Sequence, residues 1–138
     1  MTMKKRVFFL CTENSCRSQM AEGIMRNLYG ESFEVFSAGT KPTTVNPRAI
    51  KVMAEIGIDI SGYKSKSVQE FLGTDFDFVI TTCDDAKESC PIFSGGSHHI
   101  RWNFKDPAEA RGFEEEVLSV FRRVRDEIKL RIQEEFGK

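Results

Sequence analysis

The sequence predicts an α/β fold: a four-stranded parallel sheet with helices on both faces, in a single domain over residues 1–138. Three observations carry this. Short β-prone runs alternate along the chain with segments of helical apolar period. The first such run ends in a small, polar loop that opens directly into a helix, the arrangement of a strand–loop–helix unit. The chain, at 138 residues, suits one hydrophobic core.

Each element follows from local pattern. Residues 6–10 (Arg-Val-Phe-Phe-Leu) form a first strand, and residues 11–16 a loop. Residues 17–29 are helical, because Met20, Ala21, Ile24, Met25 and Leu28 recur at intervals of three and four. Gly30 stands where a helix C-terminus wants glycine. Residues 33–38 form a second strand, and residues 39–46 a loop. Asn46-Pro47 reads as an N-cap followed by proline at the first helical position, opening a helix that runs to Glu55 and is ended by Gly57. Ser67 caps a short helix over residues 68–72. Residues 76–81 form a third strand, residues 82–96 a polar, Cys-bearing connection, and residues 99–102 a fourth strand. From Phe113 onward, Val117, Val120, Phe121, Val124, Ile128 and Ile132 make one stripe at helical period, the core face of a long last helix.

Composition narrows the function classes. Twenty basic residues face twenty-one acidic ones, a formal net charge of -1, so charge gives no reason to expect a nucleic-acid or membrane surface. No apolar run approaches the roughly 18 residues that span a bilayer. The apolar run near the start, residues 7–10, falls short of a signal peptide's ~7–15 residues. A cytoplasmic protein with reduced thiols is therefore expected. The four cysteines, Cys11, Cys16, Cys83 and Cys90, are spaced C-x4-C and C-x6-C. They lack the C-x2-C pairs of zinc sites, and no metal is expected. A disulfide framework is equally out of place without secretion.

The informative stretch is Cys11-Thr12-Glu13-Asn14-Ser15-Cys16-Arg17-Ser18, of the form C-x5-R-S, between strand and helix. Backbone N–H groups of such a loop and of the first helical turn lack intrahelical acceptors and carry partial positive charge. Arg17 adds a planar fork for two oxygens. A tetrahedral oxyanion suits this cradle. Cys11, at the strand end below it, is the expected nucleophile, with its thiol pKa lowered by the helix N-terminus and Arg17 and with a hydrogen bond from Ser18. Asp106-Pro107, in a loop before the last helix, offers either a general acid or a turn cap. Cys83 and Cys90 follow the third strand. Strand C-termini in parallel sheets face the ligand crevice, so Cys11 and Cys83 both reach it; otherwise the pair would be small buried residues.

Taken together, these residues resemble the thioredoxin-coupled arsenate reductases, which share the fold of low-molecular-weight protein tyrosine phosphatases. The likeness runs through residues 11–22 (CTENSCRSQMAE), Ser37-Ala38-Gly39, Val45-Asn46-Pro47, Asp59-Ile60-Ser61, the Cys83 and Cys90 pair, Asp106-Pro107 and residues 121–130 (FRRVRDEIKL). The resemblance implies arsenate reduction to arsenite in arsenic detoxification. Arsenate would bind around Arg17, Cys11 would attack arsenic, and Asp106 would act as acid. A Cys11–Cys83 disulfide would then pass to Cys83–Cys90, which thioredoxin, or a glutaredoxin system, would reduce. Cys16 has no required role. No bound cofactor is implied, and a monomer is expected. Two positions depart from the family pattern. Glu13 stands where glycine is usual and is expected to point to solvent. Lys66 stands where some relatives have an Asp that joins the counterparts of Asn14, Glu22 and Ser37 around potassium, so no potassium requirement is expected.

Two other readings use the same loop. A tyrosine phosphatase needs Cys11, Arg17 and Asp106 but neither Cys83 nor Cys90. Ala108 and Glu109, rather than aromatic residues, follow its Asp-Pro. A non-enzymatic thiol switch or anion-binding regulator would use Cys11 without turnover.

Overall fold

The computed structural model describes residues 4–84 and 93–137. Four strands, β1 (Lys5–Cys11), β2 (Phe33–Gly39), β3 (Phe76–Thr81) and β4 (Gly96–Arg101), form one parallel sheet in the order β2-β1-β3-β4. The chain leaves β1 through helix α1 (Arg17–Tyr29) to β2 on one side, and β3 pairs with β1 on the other. Strand order therefore reverses between β1 and β3. The crevice beyond their C-terminal ends is where open parallel sheets bind ligands.

Alternation along β1 builds two cores. Val7 and Phe9 face α1, α2 (Pro47–Ala54) and α3 (Glu114–Phe136), in a cluster with Met20, Ile24, Met53, Phe121 and Ile128. Phe8 and Leu10 face the opposite side with Phe76, Val79 and Phe93. That side is covered by a 3-10 turn, Val68–Phe71, whose Phe71 ring lies 5.1 Å from Phe8. Helical segments thus lie on both faces, as expected, with the three α-helices on one.

Local signals act largely as read. Asn46 caps α2, its Oδ1 accepting from the Arg48 N–H at 2.8 Å, with Pro47 at the first position. Ser67 caps the 3-10 turn in a capping box with Glu70. Gly57 ends the second helical segment at φ +79. Gly30 differs: it is right-handed (φ -63), and its lack of a side chain spares a collision with the Arg26 carbonyl. Leu28, placed by period on the apolar face of α1, is 37% exposed. In α3 the stripe is buried from Val117 to Ile132, joined by Leu118, while Val120 is half-buried. β4 begins three residues earlier than its sequence pattern suggests. A Cβ on Gly96 would lie 2.5 Å from Val79 Cγ2, so glycine lets the strand open flush against β3. No helix among the described residues is long and apolar enough to cross a membrane.

Candidate active site

Residues 12–16 join β1 to α1, and every carbonyl in this loop is held from outside. Thr12 O accepts from Lys41 N–H (2.8 Å), Glu13 O from Ser65 Oγ (2.8 Å) and Thr43 N–H (3.3 Å), and Ser15 O from Asn46 N–H (3.1 Å). Asn14 O accepts from Gln19 Nε2 (3.1 Å), and Cys16 O from Met20 N–H inside α1 (2.9 Å). In a trans peptide the N–H opposes the preceding carbonyl, and the described chain has no cis bond. With its carbonyls turned outward, the loop turns the N–H groups of residues 13–16 toward its concave side. The Asn14 N–H reaches Cys11 Sγ at 3.0 Å. This is a backbone nest for an anion, set on a helix N-terminus. Nothing in α1 competes for it: Cys16 provides no side-chain cap, and the first turn has no acidic residue.

The nest depends on two backbone positions. Asn14 adopts φ +52, a left-handed conformation that Asn tolerates better than most residues. Gly39, at the end of β2, passes so close that a Cβ would collide with Thr12 O and lie 2.9 Å from Asn14 N.

Behind the nest runs a buried polar chain with a defined direction. Ser37 Oγ donates to Glu22 Oε1 at 2.5 Å, so it accepts from Asn14 Nδ2 at 3.0 Å. The Asn14 amide is oriented by Lys66 N–H and Gln19 Nε2, each 2.9 Å from Oδ1. Its Nδ2 also donates to Ser18 Oγ at 2.8 Å. Ser18 Oγ lies 2.8 Å from Cys11 Sγ, where its proton is free to be donated to the sulfur. At the far end, the Lys66 ammonium lies 3.6 Å from Glu22 Oε1 and donates to Lys64 O at 2.8 Å.

Cys11 is buried, and burial pushes its thiol pKa up. The Ser18 hydroxyl, the Arg17 guanidinium and the Asn14 and Ser18 N–H groups pull the other way without overcoming it. The lowered thiol expected from sequence is thus corrected: loss of hydration penalises the thiolate more than its neighbours stabilise it. Cys16 is pushed up to about 12, by burial first and then by Asp106, and stays a thiol near neutral pH.

Arg17 is buried, its Nη1 donating to Phe104 O at 3.2 Å and its Nη2 3.6 Å from Asp106 Oδ2. Asp106 takes the turn-cap role weighed from sequence. Its Oδ1 caps the 3-10 turn Pro107–Glu109 by accepting from Ala108 N–H (3.0 Å), while Oδ2 faces the guanidinium. Between them is a cavity of about 100 Å3 lined by Cys11, Glu13, Ser15, Cys16, Arg17, Asn46, Asp106 and Ala108, with no aromatic ring. Glu13 is exposed, as expected, yet still borders this mouth. A larger hollow, about 620 Å3, lies at the opposite end of the strands beside Lys4, Arg6, Asp75 and Asp77, and no cysteine among the described residues lines it.

Cys83 follows β3 at the same end of the sheet. It is buried and disulfide-bonded, whereas Cys11 and Cys16 are free thiols. Its carbonyl accepts from Phe104 N–H at 3.2 Å. Cys90 lies outside the described residues. The structure thus lines one cavity with Cys11, Glu13, Ser15, Cys16, Arg17 and Asp106, sets Asn14 and Ser18 behind Cys11, and leaves Cys83 buried after β3, outside the cavity lining. Sequence reasoning missed Gln19 and Phe104. Phe104 acts through its peptide groups, which leave no side-chain signature. Gln19 reads as an ordinary helical polar residue. Among the described residues no group of three or more His, Cys, Asp or Glu is placed to hold a metal.

The profile of the low molecular weight phosphotyrosine protein phosphatase family matches residues 6–136. Over 130 residues the sequence is 48% identical to an arsenate reductase of Halalkalibacterium halodurans, covering 94% of each chain. A solved arsenate reductase in its phosphate-binding state superposes with a TM-score of 0.82 at 37% identity, covering 96% of this chain and 97% of the other. A thioredoxin-dependent arsenate reductase of Corynebacterium glutamicum gives 0.74 at 27% identity, over 99% of this chain and 62% of that one. The chain belongs to the low molecular weight phosphotyrosine protein phosphatase family, on the branch that holds the arsenate reductases.

Proposed function

We propose that this protein reduces arsenate to arsenite, contributing to arsenic detoxification, with electrons delivered by thioredoxin. The observation that carries the reading is a backbone nest closed over Cys11 Sγ, with a disulfide-bonded cysteine, Cys83, following the neighbouring strand. The ring-free cavity wall favours a bare oxyanion over a phosphotyrosine. Weak phosphatase activity accompanies the main reaction, because the nest is equally suited to phosphate.

In the proposed sequence, arsenate lies on the N–H groups of the loop and the Arg17 fork. Cys11 Sγ bonds to arsenic, its thiol proton passes to an arsenate oxygen, and one oxygen leaves as water with Asp106 as acid. Cys83 as a thiol then attacks Cys11 Sγ. The sulfur–arsenic bond breaks, arsenic takes its electron pair, arsenite departs, and Cys11–Cys83 forms. Cys90 attacks Cys83, giving Cys83–Cys90 and restoring the Cys11 thiol. Two thiols supply the two electrons. A disulfide at Cys83 with Cys11 as a free thiol supports this order of exchange. Thioredoxin is favoured as reductant by the likeness to the thioredoxin-dependent relative. The Lys66 ammonium near Glu22 supplies the positive charge that potassium gives some relatives, so no potassium is needed.

The test follows NADPH oxidation with thioredoxin, thioredoxin reductase and arsenate, for the wild type and for Cys11→Ser, Cys83→Ser and Cys90→Ser. Turnover by the wild type alone is the expected result. An inactive wild type that cleaves an aryl phosphate using Cys11 without Cys83 overturns the reading in favour of a phosphatase.

A further inference from the structure

We propose that the Glu13 side chain sets the charge state of the oxyanion admitted to the nest, favouring monoanions over dianions. This rests on the oxyanion-site reading above. Among the described residues, the charged ones that line the cavity are Glu13, Arg17 and Asp106: two carboxylates and one guanidinium. Arg17 is itself shared with Asp106 at 3.6 Å. The loop N–H groups and the helix terminus add about half a positive charge. With Arg17 shared with Asp106, the Glu13 carboxylate outweighs that half charge, so a ligand with two negative charges meets about twice the repulsion met by one with a single charge.

Glu13 is fixed at that rim by its main chain, since its carbonyl is held by Ser65 Oγ and Thr43 N–H. Among the described residues no lysine lines the cavity. Lys66 directs its ammonium to Glu22 and Lys64 O, and Lys41 meets the loop through its backbone N–H. Arsenate occurs as both monoanion and dianion near neutral pH, so a charge filter at the mouth decides which form is captured.

The interaction of a fixed charge with a ligand scales with the ligand's charge. If neutralising Glu13 raises monoanion affinity by some factor, it raises dianion affinity by that factor squared. A factor of about three for the monoanion, reasonable for a solvent-screened carboxylate several ångströms away, gives about ninefold for the dianion. Two tetrahedral probes have charges independent of pH: perchlorate (one) and sulfate (two). Each is titrated at constant ionic strength into wild type, Glu13→Gln and Glu13→Ala, with binding read from the backbone amide resonances of residues 13–18. Both variants are expected to gain affinity for both anions, with the sulfate gain near the square of the perchlorate gain. Equal gains for the two anions, or none, overturn the charge filter while leaving the oxyanion site intact. Absence of binding by the wild type overturns the site reading itself, and the filter with it.

Discussion

Cys11, the proposed nucleophile, is buried by the fold and held among hydrogen-bond partners. Burial raises its pKa, and the Ser18 hydroxyl is the first of the groups opposing that rise. Ser18→Ala removes a hydrogen bond that favours the thiolate, so the Cys11 pKa rises further and less thiolate exists at any given pH. The acid limb of the arsenate-turnover profile should move to higher pH, and each tenfold drop in the thiolate population should cost about tenfold in rate at neutral pH. Alkylation of Cys11 by iodoacetamide across the same pH range should move in parallel. At the other end of the polar chain, Lys66→Ala leaves the buried Glu22 carboxylate without its ammonium. It should cost on the order of 1 kcal/mol and create a melting temperature that depends on potassium. The wild type should melt at the same temperature in potassium and sodium, and a clear potassium gain there would reject the role given to Lys66.

At the scale of elements, the nest is held by its neighbours more than by itself. Gly39 allows β2 to pass the Thr12 carbonyl, and Gly39→Ala forces the two apart. About 1–3 kcal/mol of stability should be lost, along with most phosphate affinity, as measured by urea unfolding and anion titration. Phe121→Ala, deep in the α3 core, should cost more, about 3–5 kcal/mol, yet leave the pH dependence of Cys11 alkylation unchanged. The contrast separates residues that shape the loop from those that only support the sheet. Helices and strands were legible where the pattern was plain: one helical period in α3, a short β-prone apolar run in β1. The opening of β4 at Gly96 was not, because Gly-Ser-His has little strand preference and the pairing is imposed by β3.

Across the whole molecule, the site's inventory was readable but its wiring was not. Cys11, Arg17 and Asp106 declare themselves as residue types at telling positions. That the crevice opens between β1 and β3 follows from a strand order that sequence does not print. Whether the Cys11 thiol is raised or lowered depends on how completely α1 and the neighbouring strands seal it, a property of packing. The outward hold on the loop carbonyls comes from residues as distant as Ser65, and only the folded chain brings them together.

One such connection reaches further. The Phe104 peptide groups are shared between two parts of the crevice: the N–H is bound to the Cys83 carbonyl and the carbonyl to Arg17. Any movement of the Cys83 segment that accompanies the proposed sulfur exchange would therefore be felt by Arg17, the proposed anion clamp. Linkage makes such an influence reciprocal. If the thiol form of Cys83 holds phosphate ten times more tightly than the bonded form, saturating phosphate must raise the reduction potential of the Cys83 disulfide by about 30 mV. Equilibration against a glutathione or dithiothreitol buffer, with and without phosphate, would measure that change. The ambient anion would then help set how readily the protein is recharged with electrons, making one peptide unit a thermodynamic link between cargo and redox state.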